Sequence, residues 1–164
     1  MSKKKASLIV DPAEIDLSHV VADKEEIRKY NPQRSDMEQI DAVVVEDPER
    51  SICIGYKDVK AEEFWVAGHM PEMPLMPGVL MCEAAAQLAS YFTLKNDLLG
   101  AQLIGLGGMD EIRIRGRVVP GDRLVIVLQE SRVRRGALIV CRFQGFVREQ
   151  LVIEGKIMGV SLDS

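Results

Sequence analysis

The chain predicts an α+β domain in which a curved antiparallel β-sheet wraps around one long central helix. Two observations carry this. Residues 79–92 form a helix with no polar stripe: Val79, Leu80, Met81, Cys82, Ala84, Ala85, Ala86, Leu88, Ala89 and Phe92 spread over every face, so it needs to be surrounded. Downstream, the pattern changes to long alternating segments separated by turn signals, the mark of antiparallel strands. A sheet curved around the helix meets both demands, with apolar side chains turned to the helix and charged ones to water.

The elements follow in order. Residues 1–22 read as an N-terminal extension outside a single main domain, 23–164; within it, residues 7–10 either add an edge strand or stay mobile. From Asp23, D-K-E-E-I-R-K-Y is a short helix with an Asp cap and an acidic first turn, closed by Asn31-Pro32. Residues 41–46 and 51–59 are two strands around the turn Asp47-Pro48-Glu49-Arg50. The long helix is entered through Pro77 and Gly78 and left through residues 96–100. Residues 102–109, apolar and glycine-rich, form a strand closely approached by ligand or backbone. Residues 111–119 form a further strand in which Ile112 and Ile114 alternate with Arg113, Arg115 and Arg117, giving one buried and one basic face. Val119-Pro120-Gly121-Asp122 is a turn. Residues 123–134 and 137–148 make a hairpin across Arg135-Gly136, and residues 151–162 are the last strand. Assembled, this is the hot-dog arrangement. Its unsatisfied strand edges make a symmetric dimer the expected remedy.

Composition narrows the function. With 164 residues, 47% hydrophobic and 28% charged, the chain has the makings of one globular domain with a real core. A net charge of −4 argues against binding nucleic acid by bulk electrostatics. Cys53, Cys82 and Cys141 are widely spaced in apolar segments, which predicts reduced, buried thiols and a cytoplasmic location. They lack metal-ligand spacing, and Cys82 reads as packing. After Lys3, Lys4 and Lys5 the apolar run ends at Asp11-Pro12, too short for a secretory leader. No uncharged apolar run reaches the roughly 18 residues of a membrane helix.

Glu83 is the one ionisable side chain set into the apolar helix. A carboxylate there must be paired, protonated or at work, unless the helix edge reaches water or a structural partner. His69, one of two histidines, sits in a loop stiffened by Pro71, Pro74 and Pro77 that leads directly into this helix. Alone it reads equally well as a satisfied loop histidine; the pairing with Glu83 favours catalysis. His19 has no chemistry around it and reads as a surface residue.

Residues 68–87, G-H-M-P-E-M-P-L-M-P-G-V-L-M-C-E-A-A-A-Q, resemble the signature of the β-hydroxyacyl-acyl-carrier-protein dehydratases of bacterial fatty-acid synthesis, G-H-F-P-x-x-P-V-M-P-G-V-L followed by E-A-x-A-Q. Residues 108–122, G-M-D-E-I-R-I-R-G-R-V-V-P-G-D, are similar to the family's G-I-D-x-x-R-F-x-x-x-V-x-P-G-D, and residues 31–41 more weakly to L-P-H-R-Y-P-F-L-L-V-D. The resemblance implies dehydration of a (3R)-3-hydroxyacyl thioester on acyl carrier protein to the trans-2-enoyl thioester, with no cofactor or metal. It implies a homodimer in which the histidine of one subunit meets the glutamate of the other, and leaves further assembly into a hexamer open. His69 then fits the base, Glu83 the acid or water-orienting group, and the Gly78 N–H the substrate carbonyl. Gln87, one turn after Glu83, would hold the carboxylate and stand against substrate. The helix flank and the glycine-rich strand would line an acyl tunnel. Glu rather than Asp at the acid position favours the branch that dehydrates without isomerising.

The departures are Met70 for the signature aromatic, the loss of aromatics at residues 32–37, and Ile104, Gly105, Leu106 and Gly107 where the family carries an aromatic gate; they leave chain-length preference open. Arg113, Arg115 and Arg117, with Arg132, Arg134 and Arg135, are either a surface for the acidic carrier protein or a solvated sheet face. Two other readings stand beside dehydration: a hot-dog thioesterase, which would release free acid, and a non-catalytic acyl-thioester binder.

Overall fold

The computed structural model describes residues 7–163. A short helix α1 (Lys24–Arg28) is capped by Asp23, whose carboxylate accepts the Glu26 N–H at 2.9 Å. Then come β1 (Ala42–Asp47), β2 (Ile52–Asp58), the 18-residue helix α2 (Gly78–Lys95), β3 (Ile104–Ile114), β4 (Arg123–Arg134), β5 (Leu138–Val147) and β6 (Gln150–Ser161). The strands form one six-stranded antiparallel sheet in the order β1-β2-β4-β5-β6-β3. One face packs on α2, which touches β2, β3, β4, β5 and β6. This is the hot-dog fold the patterning predicts.

The core between helix and sheet is largely apolar. Leu88 and Phe92 from α2 meet Leu124, Ile126 and Leu128 of β4 and Phe143 of β5, all at most 1% exposed. Gly55 lets the helix approach β2: a Cβ there would stand 3.0 Å from Leu88 Cδ1 and 2.8 Å from the Ala42 carbonyl oxygen.

The structure corrects three expectations. First, α2 is not enclosed on every side. Val79 is 71% exposed, and Leu80, Glu83 and Ala86 are half-buried. Positions 79, 83 and 86 recur at helical spacing, so the open stripe is one face that a single sheet does not reach. Second, residues 102–119 hold one strand, not two. Bulges at Leu106/Gly108 and Asp110/Arg113, with Glu111 at φ 53°, shift the register, and the alternation of isoleucine and arginine no longer sorts buried from exposed. Ile114 is 58% exposed, and β3 pairs only with β6, leaving its other edge open.

Third, the outer face of the sheet is not wholly given to water. Strand alternation places Ala42, Val44, Ile54, Tyr56, Val125 and Val127 on the side opposite α2, and Ile9, Val10, Ile15 and Leu17 pack over them. Residues 7–10 make no strand there. The Ile9 N–H donates to Gln144 Oε1 at 2.8 Å, the Arg142 and Gln144 side chains donate to the Ser7 carbonyl, and Ala22 bridges Val43 of β1.

Burial pushes the Cys53 thiol well above its ordinary range and Cys141 up to about 12, with Glu46 and Glu130 respectively adding to the effect. Protonated buried thiols do not react, so a maleimide at pH 8 is expected to leave both unlabelled in native protein and to label them after denaturation. The sign of the linkage follows. The unfolded chain ionises near a pKa of about 8.5 while the folded chain holds its protons. The contribution is complete below that value and lost as pH rises, so melting at pH 10 should come at a lower temperature than at pH 7.

Candidate active site

The entry to α2 leaves backbone donors free. Pro77, the residue before the helix, has no N–H, and its carbonyl takes the N–H groups of Leu80 (2.9 Å) and Met81 (3.3 Å). The remaining first-turn amides, Gly78 and Val79, have no carbonyl of their own helix within reach, and the positive end of the helix dipole lies with them. Ile114 leans over Gly78; a Cβ there would fall 2.3 Å from Ile114 Cδ1, so this exposed side chain would have to swing aside.

Glu83 lies just over one turn further on, and Gln87 one turn beyond that. Gln87 is 3% exposed and its amide is fully engaged. Nε2 donates to Glu83 Oε1 at 2.7 Å and to the Met37 carbonyl at 2.6 Å, and Oε1 accepts the Gln39 N–H at 2.8 Å. Asn31 Nδ2 donates to the Gln87 carbonyl at 2.8 Å. Gln87 therefore orients the carboxylate and clips residues 31–39 onto the helix. Its donors and acceptor are already taken by protein. Gln87→Leu strands the Gln39 N–H and the Met37 carbonyl, a cost of about 1–3 kcal/mol. It should lower the melting temperature by roughly 2–12 °C in a calorimetric scan.

His69 is framed by its own loop. Its N–H donates to the Trp65 carbonyl at 2.7 Å, its carbonyl accepts the Leu75 N–H at 2.8 Å, and Met70 and Met73 exchange backbone hydrogen bonds at 3.1 and 3.0 Å. The His69–Met70 peptide is cis. The ring is half-buried, with Nδ1 at 2.8 Å from the Leu75 carbonyl oxygen. A carbonyl only accepts, so Nδ1 carries the proton and, in the neutral ring, Nε2 is left with a free lone pair.

A cavity of about 80 Å³, open to solvent, runs between α2 and strands β3, β5 and β6. Glu83 and Gln87 line it, with Ala86, Ser90 and Thr93 further along the helix and Gly105 of β3 opposite. His69 and Gly78 are not among its lining residues. Within one protomer, then, Glu83 and Gln87 stand together while His69 and Gly78 belong to a neighbouring region around the loop and the helix entry. Sequence reasoning missed Asn31, Gln39, Gln33 and Thr93; the only signal for the first three was the weakly matching polar segment at residues 31–41. Among the described residues, no cluster of three or more His, Cys, Asp or Glu is placed to hold a metal ion.

The six arginines do not form one surface. Arg113, Arg115 and Arg117 stand near the C-terminal end of β3, where Arg115 pairs with Glu154 (2.6 Å) and Arg117 lies 3.8 Å from Met73 Sδ in the His69 loop. Arg132, Arg134 and Arg135 lie at the β4–β5 hairpin, with Arg135 paired to Asp97 (2.9 Å). Strand register places these at opposite ends of the sheet: Arg134 aligns through Leu138 and Val160 with Gly105, whereas Ile114 aligns through Ile153 with Gly145.

Residues 31–156 match the model of the FabA-like domain. The chain is 32% identical over 152 residues to the 3-hydroxyacyl-[acyl-carrier-protein] dehydratase FabZ of Desulfotalea psychrophila, covering 92% of this chain and 95% of that one. It is 38% identical over 135 residues to the FabZ of Bordetella pertussis, covering 77% and 87%. Among solved structures it is similar to the dehydratase heterocomplex ApeI:P from Xenorhabdus doucetiae, with a TM-score of 0.68 at 14% identity over 84% of this chain and 91% of that one. The Escherichia coli PaaI protein gives 0.55 at 13% identity over 72% and 80%.

Proposed function

The chain belongs to the FabA-like family, and from that premise we propose that it is a hydro-lyase converting (3R)-3-hydroxyacyl-acyl-carrier-protein to the trans-2-enoyl thioester in fatty-acid biosynthesis. The observation that carries the reading is Glu83, held by Gln87 at 2.7 Å on the wall of a cavity beside a helix entry with free amides. His69 Nε2 takes the C2 proton, and the electron pair left on C2 is delocalised onto the thioester oxygen, which the Gly78 N–H receives. The pair then forms the C2–C3 double bond as the C3–O bond breaks, and the departing hydroxyl, oriented by Glu83, takes the proton now held on His69 Nε2 and leaves as water, which returns His69 to its neutral form.

The active unit is a homodimer. β3 offers an 11-residue open edge with Leu106, Met109 and Ile114 each about half exposed, and Val79 opens the same flank of α2. A second copy covering this flank buries those side chains and brings its own His69 loop to the Glu83 cavity. Assembly of three dimers into a hexamer is compatible with this unit. The carrier protein docks against Arg113, Arg115 and Arg117, the basic group that stands beside the His69 loop through Met73. Buried free thiols suit a reducing, cytoplasmic location.

The test is the identity of the product. With a 3-hydroxybutanoyl thioester, absorbance of the conjugated enoyl thioester should rise, and hydration of the crotonoyl thioester should reverse it. Release of free acid with no enoyl product would instead mark a thioesterase. Binding without turnover would mark a carrier of acyl thioesters.

A further inference from the structure

Glu83 and Gln87 account for one end of the cavity and not for the other. Along α2, Glu83, Ala86, Ser90 and Thr93 recur at spacings of three and four and all line the cavity, which thus follows about 15 Å of helix axis. Ala86 and Ala89 on the helix, Gly105 on β3 and Gly159 on β6 keep this stretch open. A tunnel for plain hydrocarbon would close on apolar side chains. Here two buried oxygens, Thr93 Oγ1 and Gln33 Oε1, have no hydrogen-bond partner, and both residues line the cavity; Thr93 is only 1% exposed. Buried polar atoms are almost always paired, so each orphan oxygen calls for a partner that enters from outside the chain.

We propose that the cavity takes acyl chains bearing a hydroxyl group toward their far end, recognised by Gln33 Oε1 and Thr93 Oγ1. The inference rests on the dehydratase reading and specifies its substrate class. The amide oxygen of Gln33 only accepts, and the Thr93 hydroxyl both donates and accepts. A hydroxyl is the smallest group that satisfies either oxygen or both. A chain ending in a methyl group leaves the two oxygens desolvated and unpaired, and sites built to bond a hydroxyl reject analogues that lack it.

The experiment compares three N-acetylcysteamine thioesters: a short 3-hydroxybutanoyl substrate, a 3-hydroxydodecanoyl substrate and the latter's ω-hydroxylated counterpart. The wild-type protein should favour the ω-hydroxylated chain over the plain one by at least about tenfold in kcat/KM. Thr93→Val and Gln33→Leu should each bring this ratio toward one, chiefly by raising kcat/KM on the plain chain, a gain that misfolding does not produce. A ratio near one in the wild type, meaning that ordered water serves the two oxygens, overturns the inference. So does refusal of both long chains, or a wild-type ratio unchanged in both variants. Turnover of the short thioester alongside any of these leaves the dehydratase reading standing. Dehydration of none of the three overturns that reading and the inference with it.

Discussion

Replacing His69 by alanine is expected to lower kcat for dehydration of a β-hydroxyacyl thioester by about 10²–10⁴-fold, and Glu83→Gln by a similar factor, the usual contribution of a positioned acid or base. The two variants separately should be nearly inactive, and their mixture should not be. If His69 of one subunit serves Glu83 of the other, each mixed dimer carries one site with both residues intact and one with neither. Random exchange makes half the dimers mixed, so activity should return to about a quarter of the wild-type level. Subunit exchange is followed by native mass spectrometry of differently tagged variants. Exchange without recovery sinks the shared site, and a His69→Ala rate within about tenfold of wild type sinks the dyad. The geometry motivates both outcomes: His69 does not line the cavity that Glu83 does, yet its Nδ1 is committed to the Leu75 carbonyl at 2.8 Å, which leaves Nε2 free to act as base.

Leu88→Ala should cost about 2–5 kcal/mol of stability. Leu88 is 0% exposed at the middle of α2, and it is the side chain that occupies the space left by Gly55. At about 2–4 °C per kcal/mol for a chain of this size, the melting temperature should fall by roughly 4–20 °C. Gly55→Ala should cost about 1–3 kcal/mol by overpacking. Trimming Leu88 to make room would not rescue it. The added Cβ also falls 2.8 Å from the Ala42 carbonyl oxygen, and that backbone atom is fixed by strand pairing of Ala42 with Tyr56. The double variant should therefore be at least as unstable as Leu88→Ala alone, and a double variant more stable than that would refute the assignment of the clash to backbone.

The apolar run of α2 and the alternation in β4, β5 and β6 made the helix-in-sheet arrangement legible, because burial of a long helix and pairing of long strands leave strong periodic signals. The same signals misled at β3. A bulge adds a residue without changing local composition, so Ile112 and Ile114 look like neighbours on one face when the register between Asp110 and Arg113 has already shifted. The outer apolar layer was hidden for a different reason: Ile9, Val10, Ile15 and Leu17 have no period, since they belong to an irregular segment that borrows its partners from β1, β2, β4 and β5, further along the chain. At the site, Glu83 and Gln87 were readable as neighbours from their spacing. The clip made by Asn31, Met37 and Gln39 was not, because each of its three hydrogen bonds uses a backbone group that any residue provides.

The segment that crosses the outer face of the sheet also has a kinetic meaning. Its hydrogen bond from Ile9 to Gln144 spans 135 residues, so it forms only after β5 is in place and the rest of the sheet has given it somewhere to lie. Contacts made last in folding contribute little to the rate at which the sheet assembles and much to the rate at which it comes apart. Residues 7–22 are thus expected to act as a latch on unfolding, so that their removal raises the unfolding rate more than it lowers the folding rate in stopped-flow kinetics. The lifetime of the native state is set partly at the opposite side of the sheet from the chemistry, and a protease that clips this segment would shorten that lifetime without touching the cavity.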